Sequence, residues 1–150
     1  MIDKSFELTL KENGYVVADF KGTSMTPLLV SGRDKVFIKK AEGVLKKGDV
    51  ALYIRPSGGY ILHRVYRVFK DTYAMLGDSH FTVEYGVPHE AVIGVMQGYY
   101  KGETYIELDK SFKYKLYKFF WCSSIPFRKF LNFFRKALAK IKRIFKSDKQ

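Results

Sequence analysis

A serine set between two turn-forming residues is the first place where this chain could do chemistry. In "KGTSMTPLL", Ser24 follows Gly22 and Thr23 and precedes Met25 and Pro27. A serine hydroxyl becomes a nucleophile only beside a base that takes its proton, a group that orients the base, and donors that hold the oxyanion. Three histidines can be weighed as that base: His63, His80 and His89. His63 falls in "YILHRVYRV", where period-two alternation puts it on one face with Ile61 and Val65 and turns Arg64 to the other. On an apolar face the imidazolium is disfavoured, so the ring stays neutral near pH 7, the form a general base needs. Arg64 cannot serve, because a guanidinium does not deprotonate at working pH. His80 and His89 lie in loop-like segments and are weaker candidates. Acyl transfer by Ser24 is within reach of these residue types. A plain turn serine and a satisfied core histidine use the same residues, however, and the residues alone leave both readings open.

The elements that must hold Ser24 and His63 read as strands. Up to about residue 109 the runs "FELTL", "YVVADF", "KVFIK", "DVALYIR", "GYILHRVYRVF", "TYAML", "AVIGVMQGYY" and "TYIEL" are rich in Val, Ile, Tyr and Phe. Turn chemistry separates them in "ENG", "SGRD", "KKGD", "PSGG" and "GDS". This punctuation predicts a mainly β chain: a compact, mostly antiparallel β domain over residues 1–109. After Asp109 the pattern becomes helical. "DKSFKYKLYKFFW" reads as one helix, with Pro126 forcing a break. Beyond it Phe127, Phe130, Leu131, Phe134, Leu138, Ile141 and Phe145 recur at spacings of three and four, with Arg128, Lys129, Arg135, Lys136, Lys140, Lys142 and Arg143 between them. That is an amphipathic helix with an aromatic apolar face and a cationic polar face, suited to the surface of an anionic membrane.

Charge draws the same boundary. Residues 1–109 hold 14 Lys/Arg and 14 Asp/Glu, whereas residues 110–150 hold 13 Lys/Arg against Asp148 alone, so the whole net charge of +12 belongs to a basic helical tail. Nucleic acid is not the expected partner of that tail, because its aromatics form a stripe instead of alternating with the basic residues as stacking platforms. A length of 150 residues allows one domain with a real core, and 47% hydrophobic residues argue against disorder. Cys122 stands alone, which excludes an internal disulfide and is compatible with a reducing compartment. No cysteine–histidine cluster has metal-ligand spacing, so neither a metal nor a cofactor is expected. The N-terminus lacks the apolar run of a signal peptide, and "FFWCSSI" is far short of the ~20 residues needed to cross a bilayer.

Five boxes occur in a telling order between about residues 20 and 96: "GTSMTPLLVSGRDKVFI", "LKKGDVALYI", "YILHRV", "LGDS" and "VIGVM". Together they closely resemble the type I signal peptidase superfamily, which also includes the self-cleaving LexA-type repressors. The resemblance implies the compact antiparallel β catalytic fold of that superfamily, followed here by the C-terminal amphipathic helices. It implies Ser24 as nucleophile and, because His63 stands where most members carry a lysine base, the Ser–His branch. Asp78 of "GDS" matches the acidic residue of that branch, implying that it orients or electrostatically stabilises His63. Gly22, Thr23, Met25 and Pro27 would form the active-site turn, with Met25 and Pro27 fixing it and the Ser24 N–H donating to the oxyanion. The chain departs from the family in two ways: Gly22 stands where some members place a hydroxyl, and no spanning helix precedes the serine box.

The function expected is that of a serine endopeptidase. It would cleave a leader or signal-like segment from a peptide or protein precursor bound as an extended strand, with small residues before the scissile bond. The expected location is the cytoplasmic face of a membrane, peripherally held by the tail, with a membrane protein as a possible partner. A histidine base predicts activity rising through about pH 6–7. The rival expectation is a non-catalytic β scaffold whose basic tail binds anionic lipid or nucleic acid.

Overall fold

The computed structural model describes residues 5–124. In chain order it contains α1 (Ser5–Asn13), β1 (Tyr15–Asp19), β2 (Asp34–Lys40), β3 (Val50–Ile54), β4 (Tyr60–Val68), β5 (Thr72–Leu76), β6 (Glu84–Pro88), a single 3-10 turn at His89–Ala91, β7 (Val92–Lys101) and β8 (Thr104–Glu107). A second helix, α2, follows over 112–124. The strands form one antiparallel sheet in the order β1-β2-β7-β3-β4-β5-β6, with β8 added to β7. β7 organises it: β2 runs along one edge, while β3 takes the Val92–Val95 half of the other edge and β8 the Gly98–Lys101 half.

The apolar run of β3 reads as continuous because both its faces are covered. Val50 and Leu52 join a core with Met25, Leu29, Val36, Ile38 and Met96. Ala51 and Tyr53 join a second core with Val65, Tyr73, Met75 and Val87. His63 lies opposite Ala51 in the β3–β4 register, and Arg64 opposite Val50, so adjacent residues of β4 serve the two different faces.

Two segments differ from the sequence expectation. "FELTL" is helical, not extended: its Phe6, Leu8 and Leu10 fit a strand's alternation, but Leu10 is buried and Leu8 exposed, and Phe6 lies one turn from Leu10. Gly14, at φ +76°, closes this helix with its N–H on the Leu10 carbonyl at 3.1 Å. The strand β6 was not expected, because Gly86 and Pro88 interrupt its pattern. It sits at the end of the sheet, where a residue without an N–H is tolerated.

α2 follows the helical reading of 109–121, capped by Ser111, whose hydroxyl accepts the Tyr114 N–H at 3.2 Å. The charge step assigned these residues to the tail, yet Tyr114 and Trp121 are buried against the domain. The outward face of α2 is apolar as well, with Phe112, Leu116, Phe119 and Phe120 exposed. Among the described residues no helix is long and apolar enough to cross a membrane. The residues expected to face lipid, Phe127 through Arg143, lie outside those described.

Candidate functional site

The Ser24 turn is built from the chain's own polar groups. Gly22 takes φ +105°, a conformation side chains disfavour, and its N–H donates to Ser31 Oγ at 3.3 Å. Met25 and Leu29 are fully buried and pin the turn from below, whereas Thr23 and Pro27 are exposed and Ser24 is half-buried. At the far end Asp34, buried, accepts the Val30 N–H at 2.8 Å and a two-pronged contact from Arg33 at 2.6 and 2.8 Å. Those bonds hold the Asp34 carboxyl below its usual range.

The "GDS" loop after β5 is strapped onto this turn. Ser79 N–H donates to the Ser24 carbonyl at 3.0 Å, and Ser79 Oγ donates to the Thr23 carbonyl at 2.7 Å. Gly77 shows how close the three segments come. A side chain starting there would meet the Ser24 carbonyl oxygen at 2.7 Å, His80 Nδ1 at 3.0 Å and His63 Nε2 at 3.2 Å. The serine turn, the β4 histidine and the loop histidine thus converge on one point that only glycine leaves open.

His63 is buried, and its ring lies edge-on to His80 with centroids 5.4 Å apart. Burial, reinforced by the His80 charge, pushes its pKa down to about 4, partly opposed by Glu84 and more weakly by Asp78. The imidazole is therefore neutral through the whole physiological range. This agrees with the basic form inferred from the strand pattern, but it places the titration well below the 6–7 expected for a mildly perturbed ring.

The partner of Nδ1 is Tyr53. Its hydroxyl lies 3.2 Å from His63 Nδ1 and donates to Glu84 Oε2 at 2.7 Å. Arg55 grips the same carboxylate through Nε at 2.9 Å and Nη2 at 2.5 Å. The Arg55 bonds hold the Glu84 carboxyl below its usual range. Burial and the Glu84 hydrogen bond hold the Tyr53 hydroxyl well above its own.

Asp78 is engaged on the opposite face of β4. Arg64 Nε and Nη2 reach its two oxygens at 2.9 and 2.7 Å, with neither side chain exposed, and Tyr117 OH donates to it at 2.9 Å. Arg64 Nη1 also donates to the Gly48 carbonyl and to Tyr114 OH. The rings of Tyr114, Tyr117 and Trp121, all from α2, lie 5.1 to 5.8 Å from the guanidinium carbon. The sequence leads to the expectation that Asp78 orients or electrostatically stabilises His63. Both Asp78 oxygens accept from Arg64, Tyr53 lies at His63 Nδ1, and the negative charge of Asp78 favours the imidazolium.

Sequence reasoning missed Tyr53, Arg55 and Glu84. Tyr53 could have been found, since it stands two residues from Ala51, the register partner of His63, and so shares that face. Glu84 could not, because β6 was not read as a strand. Among the described residues no group of three or more His, Cys, Asp or Glu is placed to hold a metal ion. In comparisons with known proteins, no family, no characterised protein and no solved structure matches the chain.

Proposed function

We propose that the chain is a serine endopeptidase of the signal peptidase/LexA-like kind, with Ser24 as nucleophile and His63 as general base, cutting a leader or signal-like segment from a precursor. The observation that carries this reading is the convergence at Gly77, where the Ser24 carbonyl and His63 Nε2 come within one side chain's reach of the same point. In the proposed reaction Ser24 Oγ attacks the scissile carbonyl carbon as His63 Nε2 takes its proton. The tetrahedral intermediate collapses, His63 passes that proton to the leaving amine, and water then hydrolyses the acyl-enzyme by the same route. Asp78 stabilises the imidazolium through charge, and the Ser24 N–H donates to the oxyanion. β1, at one end of the sheet, runs directly into the serine turn and, among the described residues, has an edge unpaired by any strand where an extended substrate would add.

The proposed setting is the cytoplasmic surface of an anionic membrane. The exposed aromatic face of α2, flanked by the exposed Lys113 and Lys115, supports this, as does the excess positive charge that follows it. A fluorophosphonate probe tests the peptidase reading. The full chain should be labelled at Ser24, as located by peptide mass spectrometry, and Ser24→Ala should take no label while keeping the parent's melting temperature. A parent protein that stays unlabelled under conditions that label a control serine peptidase defeats the proposal.

A further inference from the structure

A phenol has one proton to give, and at Tyr53 two acceptors compete for it. Glu84 Oε2 lies at 2.7 Å and His63 Nδ1 at 3.2 Å. Arg55 holds Glu84 as a carboxylate, which can only accept. A charged oxygen at the shorter distance outcompetes a neutral ring nitrogen, so the Tyr53 proton points to Glu84. The remaining contact at Nδ1 is then a hydrogen bond only if the imidazole supplies the proton. A neutral imidazole carries one N–H, so placing it on Nδ1 leaves Nε2 bare. Nε2 is the nitrogen that lies 3.2 Å from the open point at Gly77, beside the Ser24 carbonyl.

We infer that Tyr53 is a positioning residue that sets the tautomer of His63, keeping Nδ1 protonated and Nε2 free to accept, and that Glu84 sets the direction of Tyr53. The catalytic meaning of this rests on the peptidase reading above; the tautomer itself does not. The sequence Arg55 to Glu84, Tyr53 to Glu84 and His63 to Tyr53 is a chain of donors ending on one carboxylate. It survives proton uptake by Nε2, because the Nδ1–H bond to Tyr53 is the same in the imidazolium. The other groups acting on the ring charge are His80 and Arg55, which oppose the imidazolium, and Glu84 and Asp78, which favour it.

The arrangement has a distinctive consequence. Without Glu84, the Tyr53 hydroxyl loses its acceptor and turns its proton to Nδ1, with Arg55 left to donate to the phenol oxygen. His63 is then driven into the opposite tautomer, with Nε2 protonated and useless as a base. Removing the hydroxyl as well takes that drive away. Glu84→Ala should therefore be more damaging than Tyr53→Phe, and the double variant should recover to the level of Tyr53→Phe. A purely structural role predicts that the double variant is worse than either single one.

The test uses the full-length chain at pH 7, with nitrogen-15 spectra of the imidazoles and His63 assigned by comparison with His63→Gln. The parent should show a protonated Nδ1 and a bare Nε2. Glu84→Ala should invert this, while Tyr53→Phe, which keeps the ring in the core, and the double variant should give mixed tautomers. The rate of fluorophosphonate labelling at Ser24 should fall roughly tenfold to a hundredfold in Glu84→Ala and recover in the double variant. A parent His63 protonated on Nε2, or a tautomer untouched by Glu84→Ala, overturns the inference. A parent chain that takes no label at Ser24 defeats the peptidase reading instead, and the spectra still decide the role of Tyr53.

Discussion

Arg64 and Asp78 meet through two hydrogen bonds, 2.9 and 2.7 Å long, with both side chains wholly shut off from solvent. A buried pair of this kind is costly to break from one side, because the survivor is left as an uncompensated charge. Arg64→Ala should destabilise the protein by about 3–5 kcal/mol, read as a fall in Tm of roughly 10 °C or more. Replacing both partners by apolar residues, Arg64→Met with Asp78→Leu, should recover much of the stability without restoring any activity that depends on the Asp78 charge.

The depressed titration of His63 gives two pH dependences with the same origin. Activity carried by the neutral ring should rise through about pH 4 and stay level across neutrality. Folding stability follows the sign of the shift. Below the ordinary value of 6.5 the unfolded chain takes up a proton that the folded chain refuses, so stability falls as the pH drops toward about 4. The loss across that window is on the order of 3 kcal/mol. His63→Gln should flatten that part of a curve of Tm against pH; an unchanged slope would show that other groups cause it.

Gly77 should resist even the smallest side chain. The Cβ of an alanine would stand 2.7 Å from the Ser24 carbonyl, a backbone atom that cannot swing aside, and would crowd His63 Nε2. Gly77→Ala should therefore lower probe labelling at Ser24 by at least roughly tenfold, about 1.4 kcal/mol in the barrier, with a smaller effect on the cooperativity of unfolding. Labelling at the parental rate would mean that the serine turn does not need the spacing seen here.

Binding to lipid should depend on the aromatic face of α2 and on the charges beyond it. The full chain should sediment with anionic vesicles and much less with zwitterionic ones, and added salt should weaken the association. Phe119→Ser combined with Phe120→Ser should reduce it without unfolding the domain, since both rings point outward. A chain ending at Ser124 keeps the buried Tyr114 and Trp121 but loses the cationic segment, and should stay in the supernatant. Equal sedimentation with both kinds of vesicle would remove the electrostatic part of the proposal.

Where the sequence was legible, the reason was local. Val, Ile and Tyr alternation around His63, and turn residues such as Gly48 and Gly58, mark β3 and β4 without reference to anything distant. The N-terminal segment misled because Phe6, Leu8 and Leu10 satisfy two periods at once over so short a span. Arg64 was legible as pointing away from His63, but its complete burial was not. That depends on Tyr114, Tyr117 and Trp121, some fifty residues further along and on another element. The Tyr53–Glu84 bond was hidden for the same reason, because it spans β3 and an edge strand whose proline disguised it.

The placing of α2 also sets an order of assembly. A chain made from its N-terminus releases β4 and the Asp78 loop before Tyr114, Tyr117 and Trp121 exist to cover them. Until then Arg64 and Asp78 face water, where an ion pair contributes little. The loop that carries Gly77 and straps the serine turn is thus secured by an element that follows the whole described sheet in chain order. Closure of the pair waits on α2: a nascent fragment that stops short of residue 112 can hold every described strand of the sheet and still lack the closed pair beneath its candidate serine.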